Sequence, residues 1–419
     1  MSRREIPPCS KTYGFPLYCA SWVPLEMIAA KVAATSAAGE GGGEREAEEK
    51  TEGGDEGSET AGGGESASEG SSGLEEVSSN ELMLVLGGGG GEGQSGVPNA
   101  LLLARFDQTS RSLSDEPVHR LGTGQDVPYR MALHPKGDGI LCSFPNGCRW
   151  FEWEPSEDKK AHQLGIKSSG RVLTQLEDIG LQLALAFNAE GSLLATGGED
   201  GHMRIFKWPS IELVFEQNEA KKSVKDLYFS CDGKFLASVA DTGLCRVWDL
   251  GSLTIVANLL RDNGEKFLFC RFSQATDENT ILYTLSTQDQ FAKIVSWSTT
   301  SWNRLTSKNV SKDPVSAFSV SPDGKLLAIG TIEGDVVILD SSMRVNSAVK
   351  RAHLGLVTTL VFSHDSRALA SASFDSSTRV TLVEKKRRGE AVSMWVIFFI
   401  ILLAAILAYY IKENGGLLW

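Results

Sequence analysis

The sequence predicts an all-β fold, a ring of seven four-stranded blades (a β-propeller), with one C-terminal transmembrane helix behind it. Three observations carry this expectation. A strand–turn–strand–turn–strand pattern returns with a period of about 40–45 residues, the length of one propeller blade. The strand runs are short and punctuated by Asp-Gly or Glu-Gly turns, in which glycine tolerates the positive φ of a tight hairpin. One stretch near the C-terminus is apolar throughout.

The clearest copy of the repeat runs from Val224 to Asp249. An apolar strand ends at Phe229-Ser230, Asp232-Gly233 turns the chain, and a second strand covers 235–239. Asp241-Thr242-Gly243 makes the next turn and the third strand ends in Trp248-Asp249. Comparable copies begin at Leu183 and Val315, with turns at Glu190-Gly191 and Asp323-Gly324. Looser ones begin at Met131, Phe267 and Val357. Strand-like runs between copies, such as 212–216 and 254–259, supply the outer strand of each blade. The copies resemble degenerate WD repeats, and Trp248-Asp249 alone keeps the dipeptide that names them. With a first blade built from strands at 15–23, 82–86 and 100–106, the propeller is expected over 13–383.

Charge bounds the function. The 419 residues carry 53 acidic and 41 basic side chains, a net of −12. Nearly all of that excess lies in a glycine-rich acidic segment that ends at Asn80. The remainder is close to neutral and has no basic field to hold DNA or RNA, so a nucleic-acid partner is excluded. That segment, within 31–80, is too poor in apolar residues to offset its ordering entropy and is expected to be a disordered insertion into blade one. Seven scattered cysteines include no C-x-x-C pair, which fits a reducing compartment. The N-terminus has Arg3 and Arg4 but no apolar run behind them, so no signal peptide is expected.

Residues 391–411 contain no charge and are long enough to span a bilayer as a helix. Trp395, Tyr409 and Tyr410 stand where interfacial aromatics belong. Lys385, Lys386, Arg387 and Arg388 form a basic linker (384–390) before the span, and a short tail (412–419) follows it. The positive-inside rule keeps the propeller in the cytosol and the tail in the lumen.

Blade one carries the anomaly. Between its second and third strands, where other blades have a short turn, stand Gly87, Gly88, Gly89, Gly90, Gly91, Glu92, Gly93, Gln94, Ser95, Gly96, Val97, Pro98 and Asn99. Residues 91–96 match G-x-G-x-x-G after a strand, but a dinucleotide site needs a helix to begin there. Pro98 and the β-rich run that follows argue against one, and no Gly-Lys-Ser/Thr of a P-loop is present. Five consecutive glycines have a high conformational cost, which suits a backbone that must approach something closely. Converging carbonyls in such a loop can hold a hard cation, with Glu92, Ser95 and Asn99 as further oxygens.

The loop resembles that of the Sec-twelve family, membrane-anchored exchange factors that start COPII coat assembly at the endoplasmic reticulum. The resemblance lies in the glycine run and its Gly96-Val97-Pro98-Asn99 ending, the Phe15-Pro16-Leu17-Tyr18 opening, the degenerate propeller and the C-terminal anchor. The acidic insertion, a fifth glycine and the short tail depart from the family pattern. The resemblance implies a guanine-nucleotide exchange factor, not a catalyst of covalent chemistry, with a Sar-type small GTPase as partner. It implies potassium in the loop formed by Gly87 to Gly91, Glu92, Gly93 and Gly96. Val97 and Pro98 would be the apolar contact to the GTPase and Asn99 its hydrogen-bonding tip. An alternative from the same family is a non-exchanging adaptor that helps cargo such as phosphate transporters leave the endoplasmic reticulum.

Overall fold

A computed structural model describes residues 7–30, 80–91, 96–155, 164–218, 222–273, 280–383 and 394–414. Seven sheets form the seven blades of the ring. Blade one contains Leu17–Trp22, Glu81–Gly88 and Asn99–Asp107, and both Ser112–Leu113 and His119–Gly124 pair with the outside of Asn99–Asp107. Blade two begins at Arg130–Leu133, and blades three to six have Gln182–Phe187, Val224–Phe229, Lys266–Phe272 and Val315–Val320 as inner strands. Blade seven contains Val357–Phe362, Ala368–Ser373 and Ser377–Leu382. Its outer strand is Ser10–Thr12, which pairs antiparallel with Ser377–Leu382 and fastens the ring. The sequence boundary at residue 13 left this strand out. Three residues with one apolar neighbour carry no alternation from which a strand can be read.

The repeat turns fold as their chemistry dictates. In blade four the Ser230 hydroxyl donates to Asp232 and accepts from the Phe235 amide, and Asp232 also accepts from the Lys234 amide. Gly233 closes the turn at φ 68°. Blade six repeats this with Ser321, Asp323 and Gly324, and blade seven with Ser363 and Asp365. There Ser366 stands where the others have glycine and adopts φ 59°. Trp248 donates its indole N–H to Ser238 on the neighbouring strand of blade four.

Ring contacts fix the direction of the strands. Tyr18, at the start of blade one's inner strand, packs edge-on against Phe374, in the turn between the second and third strands of blade seven. Trp22, at the other end, donates to the carbonyl of Val361. The inner strands therefore run parallel, and the ring has an entry face, where they begin, and an exit face. Loops between blades, and turns between second and third strands, lie on the entry face. The glycine loop is one of these. The last propeller strand, Ser377–Leu382, ends on the exit face. Residues 31–79, which contain most of the acidic insertion, lie outside the described residues.

A second unit, Leu382–Trp419, contains the helix Met394–Asn414. Its described side chains, Phe398, Phe399, Leu402, Leu403, Ile406 and Leu407 among them, are exposed. Among the described residues no helix is long and apolar enough to cross a membrane. The span expected over 391–411 begins outside those residues, as does the basic linker 384–390, and the tail is described only as far as Asn414.

Candidate functional site

The glycines of blade one prove to have separate tasks. Gly87 and Gly88 belong to the second strand, opposite Leu101 and Ala100 on one side and Cys19 and Leu17 on the other. A Cβ on Gly87 would lie 2.7 Å from the Cys19 sulfur, and one on Gly88 would run into the Pro16 carbonyl. A Cβ on Gly89 would collide with the side chain of Asn99. Gly91 and Gly96 have open space around them but adopt φ 79° and 70°, the left-handed region that disfavours any Cβ. What the backbone approaches so closely is therefore its own chain. Gly87 and Gly88, expected among the ion-holding loop residues, are instead paired into the sheet.

Asn99 organises the loop. It is the first residue of the third strand and is 5% exposed. Its Oδ1 accepts from the Gly91 amide at 3.0 Å. Its Nδ2 donates to the carbonyls of Gly91, Gly124 and Gln125 at 3.3, 3.2 and 2.8 Å. Both ends of the amide are in use, which fixes its orientation. The expected role of Asn99 as an exposed tip is thus corrected. A buried amide engaged by Gly91, Gly124 and Gln125 faces inward and not toward a partner, and what it does is tie the two ends of the loop to the sheet. Pro98 is exposed and Val97 half-buried, so these two present the loop's described side-chain surface. Glu92, Gly93, Gln94 and Ser95 lie outside the described residues.

The tie extends into blade two. Gly124 ends blade one's strand His119–Gly124 and Gln125 begins the link to blade two, where the Thr123 hydroxyl donates to the Asp126 carbonyl. The Asp126 carboxylate pairs with Arg149, whose guanidinium lies over the Phe144 ring at 4.2 Å. On the other side, the Gly89 amide donates to the Pro16 carbonyl at 2.9 Å. Cys19, packed under Gly87, is buried, and that burial pushes its thiol up to about 12, so it fills space and does not react. Sequence reasoning missed Gly124, Gln125, Asp126 and Arg149. The Thr123-Gly124-Gln125-Asp126 run is a turn signal, but nothing in it names its partner across the groove.

The carbonyls of Gly91, Gly124 and Gln125 converge on the Asn99 amide. Oxygen-only sets suit a hard cation, but the Asn99 nitrogen, which donates to all three oxygens, stands where such an ion would have to sit. The described residues therefore do not form a potassium site.

Two family models match parts of the chain, the anaphase-promoting complex subunit 4 WD40 domain over residues 187–297 and the WD domain, G-beta repeat over 346–380. The chain is 47% identical over 305 residues to SEC12-like protein 2 of Arabidopsis thaliana, covering 73% of this chain and 77% of the relative. The chain belongs to the Sec-twelve family. SEC12-like protein 1 of Arabidopsis thaliana is 30% identical over 77% of this chain and 81% of its own length. The guanine nucleotide-exchange factor SEC12 of Rattus norvegicus is 25% identical over 76% of this chain and 89% of its own. The Sec-twelve fold in this chain is a seven-bladed WD-type propeller.

Proposed function

We propose that this protein is a guanine-nucleotide exchange factor for a Sar-type small GTPase, anchored by its C-terminal helix in the endoplasmic reticulum membrane, where it starts COPII vesicle formation. The observation that carries the reading is the glycine loop, tied by Asn99 to the end of blade one's outer strand and to the link into blade two, in a chain whose relatives include proteins named as exchange factors. An exchange factor must bind the nucleotide-free GTPase better than the loaded one, since differential affinity is all a partner can apply to an equilibrium. A stiff loop serves this purpose. It presses Val97 and Pro98 against the switch region without spending the entropy that a floppy loop would lose on docking. The family resemblance adds a potassium ion to this proposal, as a further source of stiffness for the loop. No covalent bond is made or broken, so no acid, base or nucleophile is required.

The test is the nucleotide-release rate of a Sar-type GTPase with and without the full chain in detergent solution. Acceleration supports the reading, and an unchanged rate overturns it. Exchange slower in Na⁺ than in K⁺ supports the ion, and equal rates remove it. The alternative, an adaptor that promotes exit of chosen cargo such as phosphate transporters, is favoured by one observation: likeness to SEC12-like protein 2 exceeds likeness to the proteins named as exchange factors. An adaptor would bind cargo and leave nucleotide release unchanged.

A further inference from the structure

We propose that the entry face carries a second contact for the GTPase, an apolar strip formed by Tyr129, Tyr18, Phe374, Leu356 and Leu354, which docks against an apolar surface beside the partner's nucleotide pocket. This rests on the exchange-factor reading and names the surface that holds the partner while the loop acts.

The strip is continuous. The rings of Tyr129 and Tyr18 lie 5.8 Å apart, and Tyr18 meets Phe374 edge-on at the same distance. The Phe374 amide donates to the Leu356 carbonyl, and Leu354 stands two residues before Leu356. The strip thus crosses blades two, one and seven on the face that bears the glycine loop. It joins that loop through Pro16, which accepts from Gly89 and lies two residues from Tyr18.

Its outer end is exposed yet rigidly held. Leu354 is 90% exposed and Phe374 47%. The Leu354 amide donates to the Asp375 carboxylate, which also accepts from the Ser377 amide and hydroxyl. The preceding residue, His353, is buried between the hydroxyls of Ser377 and Ser371 at 2.5 and 2.8 Å. With its backbone held in this way, Leu354 loses less freedom on docking than a residue of an unfastened loop would. This is the pre-organisation that makes an interface anchor effective.

Area identifies the occupant. A stable protein contact needs about 800 Å² from each partner. Val97 and Pro98 fall well short of that, so a loop that pries at the nucleotide site needs an adjoining surface to keep the GTPase in place. Other exposed apolar residues, such as Leu260, Ile255 and Val345, stand in blades four and six or on outer strands, away from the loop.

The experiment measures nucleotide release by the full chain in detergent solution across a range of GTPase concentrations. It compares the wild type with Leu354→Ala, Phe374→Ala and the double variant. The half-saturating GTPase concentration is expected to rise about tenfold in the double variant. The maximal rate at saturation should hold; the melting temperature should hold for Leu354→Ala, which is 90% exposed, and fall slightly for Phe374→Ala, whose ring packs on Tyr18. Leu260→Ala, 80% exposed on the same face, should change nothing. An unchanged half-saturation in the double variant overturns the strip while the exchange reading stands. If the wild type fails to accelerate release, binding of nucleotide-free GTPase decides the matter. Capture by the wild type and not by the double variant supports the strip although the exchange reading falls; equal capture, or none, overturns the strip.

Discussion

The Ser-x-Asp turns of blades four, six and seven and the glycine loop of blade one solve one problem in opposite ways. In the former, side chains within the turn satisfy its own backbone. Ser230 and Asp232 bond each other and accept from the amides of Phe235 and Lys234, and the same set recurs at Ser321 and Ser363. In the latter, side chains are nearly absent, and shape comes from outside through Asn99, Pro16 and the 124–126 turn. A turn that carries its own fastenings is robust but closed to visitors. A loop fastened from beneath leaves its outer surface free for a partner.

Glycine replacement gives the largest expected difference between the two. Gly88→Ala would drive a methyl group into the Pro16 carbonyl, in a strand pinned on both sides, and should cost about 4 kcal/mol or more. Gly233→Ala meets open space and bears only the left-handed backbone penalty, about 1–2 kcal/mol. Urea melts of the two variants check this, and equal losses would erase the distinction.

Acid separates the regions next. The other turn of blade seven, at 373–377, is bonded to His353 through Ser377, an imidazole that burial holds down to about 4 against the help of nearby Asp375, with Arg379 also lowering it. The unfolded chain takes up this proton near 6.5. Between the two values the unfolded state binds more protons, so stability present at neutral pH falls as the pH drops, by on the order of 3 kcal/mol. Melts of His353→Asn at pH 7 and pH 5 should show a smaller loss than wild type. An identical loss would place the acid sensitivity elsewhere.

Asn99→Ala should lower nucleotide exchange about tenfold, the equivalent of roughly 1.4 kcal/mol and within the cost of leaving buried backbone groups unpaired. The propeller should stay folded, as circular dichroism would show. Ser230→Ala should have the smallest effect, about 1 kcal/mol of stability with exchange unaltered. If both variants reduce exchange alike, the loop has no special standing.

The same contrast decides what could be read from the sequence. The blades were legible because each repeat states its turn locally, in residues such as Asp232-Gly233, and alternates apolar positions between turns. The glycine run was visible as an anomaly, but its internal logic was not. Gly87 and Gly88 read as loop because glycine carries no strand signal, although their neighbours across the sheet demand the absence of a side chain. Asn99 read as a tip because the residues that consume its amide, Gly124 and Gln125, lie 25 and 26 positions away. Leu354 went unnoticed for the same reason. Its rigidity comes from Asp375 and His353, and no pattern in the chain announces that pairing.

The clasp between Ser10–Thr12 and Ser377–Leu382 has a consequence for biogenesis. The segment that locks the circle is synthesised before the rest of the propeller, and its mate emerges among the last residues of the propeller. Until then Ser10–Thr12 has no strand to pair with, although the Trp22 indole can already reach the Val361 carbonyl. Every earlier blade must wait as an open arc with a bare edge, the state most exposed to mispairing. A nascent chain that ends shortly before residue 377 should therefore engage chaperones far more than one only slightly longer.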